Sequence, residues 1–298
     1  LRRTVLVIGY EGEKLRKHVG RKWQGMKIDY INNPIYNKTN NIYSLALAAD
    51  DLVKDDTLLI ESDLIFEDEI FAKVIKDPHP NVAVVDAYES WMDGTCVTID
   101  ENLRIERFVP KKDFVYEEIP AYFKTVNIYK FSKQFSKKDY VPFLKAYSKA
   151  LGDNEYYEQV LRVVAFLDKP LMHALPLSGE KWYEIDDMQD LDIAESMFCP
   201  PEEQVKKLAA RYGGYWRYPG LKDFCYLVNP YFPGERLRAE IKANFSTLLE
   251  QYPSGQCVNA LLAAKMFGLH ADEIAVGNGA SEIIQAYTRL LSGKIGFV

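Results

Sequence analysis

Acidic side chains crowd two short stretches of the chain. "TLLIESDLIF" reads as a buried strand ending on Glu61 and Asp63, and "WYEIDDMQDL" sets Glu184, Asp186, Asp187 and Asp190 within seven positions. Ligands of open α/β sheets bind beyond the carboxyl ends of the strands, so Glu61 and Asp63 stand where a catalytic acid is expected, although Asp63 would serve equally to cap a turn. If "KWYEI" is extended, side-chain alternation turns Glu184 and Asp186 to one face. Asp187 then falls at a helix start, where the dipole favours an acid whatever its function. Two such clusters on separate loops suit a magnesium ion, which takes one or two carboxylates plus substrate phosphates and keeps its waters. A different chemistry is suggested by "IAVGNGASEII", which reads as a strand, a glycine turn and a helix with Ser281 at a capping position. Free N–H groups at a helix start attract anions and glycines admit a phosphate closely, but a plain strand-to-helix connection uses the same residues.

The elements that must position these residues follow from hydrophobic spacing. Residues 1–198 alternate apolar strand runs with amphipathic helices, the pattern of an α/β domain with a mostly parallel sheet. Strands are expected at "TVLVIGY", "MKIDYIN", "DTLLIESD", "NVAVVDAY" and "KTVNIYKFS", and a hairpin at "CVTIDENLRIERFV". "NNIYSLALAADDL" is a helix by the recurrence of Ile42, Leu45 and Ala49, with Asn40 as its N-cap. Pro200 and Pro201 stop this pattern and set a boundary between residues 198 and 199. Beyond them come the helix "EEQVKKLAARYGG", an aromatic, proline-rich loop, helices around "ERLRAEIKANFSTLLEQY" and "CVNALLAAKMFGL", and then the glycine turn. The chain opens on Leu1 directly before a strand and closes on "GKIGFV", a strand just starting; both ends read as cut, so a fragment of a longer protein is expected.

Composition narrows the function classes. With 298 residues, 48% hydrophobic and 27% charged, the chain reads as soluble and globular. A net charge of −6 without a basic tract argues against nucleic acid or an anionic membrane as partner. No apolar run is long enough to span a bilayer, and there is no signal peptide. The four cysteines lie far apart without a CxxC pair, which argues against zinc and a disulfide framework and fits a reducing cytoplasm. His18, His79, His173 and His270 are scattered and carry no assignment.

In their order and intervals, "NNPIYNKTNNIYSLALA", "LLIESDLIF", "KTVNIYKFS", "EYYE" and "WYEIDDMQDL" resemble the nucleotidyltransferase family of CTP:phosphocholine and 2-aminoethylphosphonate cytidylyltransferases, over residues 1–198. The resemblance implies a Rossmann-like nucleotidyltransferase domain in which Asp63 is catalytic and holds magnesium with Glu184 and Asp186. It further implies that Lys38, Thr39, Asn40 and Asn41 lie near the cytidine of CTP, with Asn40 and Asn41 opening a helix whose backbone N–H groups face the nucleotide. The family's glycine-rich phosphate loop would lie upstream of Leu1. A phosphate or phosphonate oxygen of the acceptor would attack the α-phosphorus of CTP in line and expel pyrophosphate, mostly through positioning and magnesium electrostatics. The acceptor's amine end needs a cation site, for which Tyr116, Tyr122, Tyr156 and Tyr157 with Glu117, Glu118, Glu155 or Glu158 nearby are candidates, Tyr116, Tyr122, Tyr156 and Glu158 first among them. Tyrosines at such spacings serve core or rim packing as well.

A second resemblance covers the remainder. "LVNPYFPGERLRAEI", "QYPSGQ" and "LAAKMFGLHADEIAVGNGASEII" resemble the amino-terminal part of fold-type-I pyridoxal-phosphate enzymes of the histidinol-phosphate aminotransferase group. This implies an aminotransferase portion at residues 199–298, with the phosphate of pyridoxal phosphate on Gly279, Ala280 and Ser281. Tyr252 would reach the cofactor of a partner subunit in a homodimer, and Asn229 with Pro230 would lie near the substrate entrance. The Schiff-base lysine would lie downstream of Val298, leaving Lys294 as a surface residue. Together the two resemblances imply a bifunctional enzyme using magnesium, CTP, a small phosphorylated or phosphonate amine acceptor, pyridoxal phosphate and an amino acid donor. A sugar-1-phosphate nucleotidyltransferase fused to an aminotransferase, and a non-catalytic binding descendant, are the alternatives.

Overall fold

The strands expected from the apolar runs sort into three sheets in a computed structural model that describes residues 1–165, 167, 172–211, 213–218, 220–224, 229–293 and 296. Strands β1 (Arg3–Ile8), β2 (Lys22–Trp23) and β3 (Met26–Asn32) form one small sheet in the order β1-β3-β2, with β1 and β3 parallel. The main sheet holds β4 (Thr57–Ile60), β6 (Val82–Ala87), β7 (Cys96–Ile99), β8 (Ile105–Val109), β9 (Phe123–Phe131) and β10 (His173–Pro176). A third, two-stranded antiparallel sheet joins β5 (Leu64–Phe66) to β11 (Trp182–Glu184).

The main sheet is mixed rather than mostly parallel, which corrects the expectation from sequence. Only β10 against β6 is parallel; β4, β6 and β7 all run antiparallel to β9, and β7 to β8. The β7–β8 connection is a tight hairpin, open only to antiparallel strands, with the Asp100 carboxylate accepting the N–H groups of Asn102 and Arg104, both at 2.8 Å.

Strand β9 is the axis of this sheet. One edge pairs with β6 from end to end, while the other is shared by β4, over Ile128–Phe131, and β7, over Phe123–Lys124. The sheet therefore splits beside residues 125–127. There the β6–β9 register shifts between Ala83 and Val85, and Asn127 adopts a left-handed φ of 59°. Such a bulge bends its strand and re-aims its side chains.

Alternation along the strands separates two cores. Ala83, Val85, Tyr129 and Phe131 pack with Ile42, Leu45, Leu144, Val160 and Leu161 from the helices Asn41–Leu47, Val141–Leu151 and Glu158–Ala165. On the other face Val84, Val126 and Ile128 pack with Ile70 and Val74 of the helix Asp68–Lys76 and with Trp182. A further cluster joins Tyr183, Ile193, Ala194 and Met197 to Tyr218, with Leu208 against it.

That last cluster moves the division of the chain. Two compact units form, Leu1–Asp223 and Phe224–Val298, so residues 199–223 pack with the first unit rather than opening the second at the 198/199 boundary. Pro200 and Pro201 do not separate domains; Pro201 is the first residue of the helix Pro201–Arg211, where a missing N–H costs nothing.

The second unit carries the helices Glu235–Ala243, Phe245–Glu250, Gln256–Phe267 and Ala280–Leu290. Its described hydrophobic residues are mostly exposed; Ala260 and Ala264 are buried. The strand expected before the glycine turn does not form, since Ile274 is extended but the described residues offer it no ladder partner. Among the described residues no helix is long and apolar enough to cross a membrane.

Candidate active site

The acids meet at the split in the main sheet. Where β4 ends, the Glu61 N–H donates to the Asn127 carbonyl at 3.2 Å; past the end of β11, the Ile185 N–H donates to the Asp63 carbonyl at 2.9 Å. Glu184 is thereby fastened beside the strand end that carries Glu61 and Asp63. One carboxylate oxygen from each of Glu61, Asp63 and Glu184 lies within 4.8 Å of the others.

Amides and one ammonium organise these oxygens. Asn127 Nδ2 donates to Glu61 Oε2 at 3.0 Å and to Glu184 Oε1 at 2.8 Å, and Asn41 Nδ2 donates to Glu61 Oε1 at 3.1 Å. Lys124 Nζ lies 3.0 Å from Glu184 Oε2 and donates to the Thr125 carbonyl at 2.8 Å, with its side chain only 2% exposed. Asp63 Oδ1 is buried and has no hydrogen-bond partner. Strict alternation would turn Lys124 and Asn127 to opposite faces of β9; the bulge and the left-handed Asn127 bring both onto Glu184.

The cluster is short of positive charge. Burial, followed by the charges of Glu158 and Asp63, raises the Glu61 carboxyl to about 8. Glu184 is raised by burial against the pull of Lys124, and Asp186 by burial and then by Asp63 and Asp190. Burial likewise raises Glu158 to about 7, and its Oε2 is buried without a partner. A cation placed among these oxygens would reverse each of these shifts. The donor set is all hard oxygen with one orphaned buried atom, which fits magnesium.

A cavity of about 1470 Å³ opens over the cluster. Asp63 and Glu184 come together, while Asp186 is exposed on the cavity wall beyond the close trio, whose third member is Glu61. β11 ends at Glu184, so the alternation invoked for Asp186 has already stopped. Asp187 caps the helix Met188–Phe198 in a reciprocal capping box with Asp190, as expected for the helix-side acids.

The nucleotide candidates divide. Lys38 is exposed at the end of a short turn, and Thr39 Oγ1 donates to the Ile35 carbonyl. Asn40 Oδ1 accepts the Asn41 N–H, and the Ile42 N–H donates to the Glu155 carbonyl at 3.3 Å. The first two amides of this helix thus have partners within the protein. Asn41 instead reaches the acids through its side chain, whose Oδ1 also accepts the Tyr157 N–H at 2.9 Å.

The acceptor candidates divide as well. Tyr156 and Glu158 line the cavity. Tyr122 is buried, donates to Glu118 Oε2 at 2.9 Å and packs with Tyr116 around Phe114; neither tyrosine is among the residues lining that cavity. Glu61 stands with Asp63 at the strand end where an acid was expected, whereas Lys124 and Asn127 are residues to which sequence reasoning gave no role. A lysine and an asparagine interrupting the apolar "KTVNIYKF" run were the available signal.

In the second unit, Gly279 takes a φ of 80° before the helix Ala280–Leu290, and nothing lies within 4 Å of where its Cβ would be. Ser281 is the second helical residue rather than the cap, and is exposed. The Asn278 N–H donates to the Glu282 carboxylate. Tyr252 is fully exposed, and Asn229 Oδ1 accepts the Tyr231 N–H at 2.9 Å. Lys294 lies outside the described residues.

No family model matches the chain. A CTP:phosphocholine cytidylyltransferase from Streptococcus pneumoniae superposes with a TM-score of 0.52 at 16% identity, covering 65% of this chain and 78% of that one. This likeness is one of fold. A CMP-5'-(3-aminopropyl)phosphonate synthase of Streptomyces rubellomurinus is 30% identical over 288 residues, 96% of this chain and 46% of that protein. The uncharacterized protein y4rO of Sinorhizobium fredii is 22% identical over 240 residues, 80% of this chain and 37% of that protein. The chain thus spans less than half the length of these curated relatives.

Proposed function

We propose that this protein transfers a cytidylyl group from CTP to a small amine-bearing phosphonate or phosphate, releasing pyrophosphate and depending on magnesium. The observation that carries this reading is the carboxylate trio Glu61, Asp63 and Glu184, with Asp63 Oδ1 buried and unpartnered at the floor of a cavity large enough for a nucleotide. An acceptor oxygen attacks the α-phosphorus, the bond to the β,γ-diphosphate breaks, and pyrophosphate leaves with the electron pair. Asp63 and Glu184, with Glu61 beside them, would hold magnesium, which neutralises charge on the phosphoryl oxygens when bound. Asn127 and Lys124 fix the Glu184 carboxylate, and Asn41 fixes Glu61. Tyr156 and Glu158 offer a ring face and an acid to the acceptor's ammonium group. The Streptomyces relative's name, a CMP-aminopropylphosphonate synthase, supports the phosphonate class of acceptor.

Pyrophosphate release tests the reading, with CTP, magnesium and 3-aminopropylphosphonate, 2-aminoethylphosphonate, phosphocholine or a sugar 1-phosphate in turn. Release with an amine-bearing acceptor is expected; release with the sugar phosphate alone would sink the acceptor assignment.

For the second unit we propose a share in a homodimeric pyridoxal-phosphate aminotransferase that takes an amino acid donor. Its support is the open space at Gly279, with Ala280 and Ser281 following at a helix start. Pyridoxal phosphate supplies an electron sink when bound; these residues would hold its phosphate. Equilibrium dialysis against pyridoxal phosphate checks this, with weaker retention expected for Ser281→Ala. Absence of any retention by the unmodified chain would remove the proposal.

A further inference from the structure

The strand end that bears Glu184, and the turn after it, are gripped by a stretch of chain that sequence had placed in the other domain. Asp190 is the hub. Its Oδ2 accepts the N–H groups of Asp186 at 3.2 Å and Asp187 at 3.3 Å, and its Oδ1 accepts the Tyr183 hydroxyl at 3.3 Å. One carboxylate therefore ties down the residue before Glu184 and the residues just after it. Arg217 Nη1 stands 3.6 Å from the same Oδ1, the two side chains being 22% and 18% exposed. Tyr183 is held on its other side by Trp91, stacked at 5.1 Å between ring centroids.

We propose that Arg217, acting through Asp190, is a positioning residue for the metal ligand Glu184. The proposal rests on the magnesium reading above. Without Arg217 the Asp190 carboxylate keeps weak neutral donors but no counter-charge and is free to turn to water; Tyr183 and the Asp186 N–H then lose their common anchor. Groups that orient a ligand from behind typically contribute a factor of about 10–100 in metal affinity. The segment itself stays docked, because buried Tyr218 donates to Ser196 Oγ at 3.3 Å and Arg211 pairs with Asp192 independently of Arg217.

Manganese binding to the full chain, read by electron paramagnetic resonance alongside the thermal midpoint, tests this directly. Arg217→Ala is expected to weaken manganese about tenfold with little change in midpoint, and Arg217→Lys to recover most of the loss. Lys207→Gln, which breaks only the Lys207–Glu195 pair on the same segment, should leave affinity unchanged. If Arg217→Ala does not fold, Asp190→Asn, nearly isosteric, should show the same weakening. Retention of affinity within about twofold by Arg217→Ala or its substitute, while Glu184→Gln loses about tenfold or more, would overturn the positioning role alone. An equal loss in Lys207→Gln would also overturn it, as general loosening. Unchanged binding in Glu184→Gln would instead remove the magnesium reading on which the role depends.

Discussion

The two compact units both carry helices rich in apolar residues and bury them very differently. In Leu1–Asp223 the helices lie on a sheet, and Ile42, Ile70, Val74, Leu144 and Leu161 are at most 1% exposed. In Phe224–Val298 Leu248, Leu262, Met266 and Leu290 are 61–83% exposed. An apolar stripe stabilises a helix only when another layer covers it, and the described residues of the second unit include no sheet to do so. The contrast also explains where chemistry is legible. Shifted carboxylates need a surrounding core to exclude water, and the first unit has one on each face of its sheet.

The largest expected effect separates the units by function. Asp63→Asn should lower pyrophosphate release roughly a thousandfold with the fold intact, the scale of losing one preorganised electrostatic contact. Ser281→Ala should leave release unchanged, and a comparable drop there would break the division.

The next effect separates them by stability. Leu161→Ala should cost about 2–5 kcal/mol in urea unfolding, while Leu290→Ala stays within about 0.5 kcal/mol. Equal costs would mean that Leu290 is covered in solution.

A smaller effect comes from the buried acid at the cavity. Folded Glu158 keeps its proton to about 7, whereas the unfolded chain releases it near 4.5. Its contribution is therefore fully present below 4.5 and lost as pH rises through 7. Glu158→Gln remains neutral throughout, so at pH 8 it should be more stable than the unmodified chain by about 1–3 kcal/mol. Thermal midpoints across pH 4–8 check the sign.

The smallest is at His173, stacked on His79 at 3.8 Å between ring centroids and lowered by burial and then by that neighbour. A lowered imidazole loses stability as pH falls below its unfolded value of 6.5. His173→Phe should flatten that acid-side slope, by about 0.5 kcal/mol or less after solvent screening.

Much of the element order was legible because alternation and helical spacing are local properties. Glu61 and Asp63 drew notice because strand ends are where such sheets place ligands, and Glu184 through side-chain alternation. The pairing direction was not, since β9 finds β4, β6 and β7 through contacts distant in sequence. Lys124 and Asn127 were hidden for a related reason: their convergence depends on a bulge that the ladder imposes, and spacing alone argues against it. The paired prolines misled because the signal that ends one element also begins the next. "IAVG" reads as a strand by composition, but a strand is a relation between two segments, and its partner is not written in it.

Asn127 is constrained by backbone and chemistry at once. Its backbone tolerates few side chains besides glycine, asparagine and aspartate. Glycine has no donor to offer two carboxylates, and aspartate would add a fourth charge to three. Steric and chemical selection therefore intersect on a single amino acid, so drift at this position should be slower than at the acids it serves, for which glutamate and aspartate can trade places.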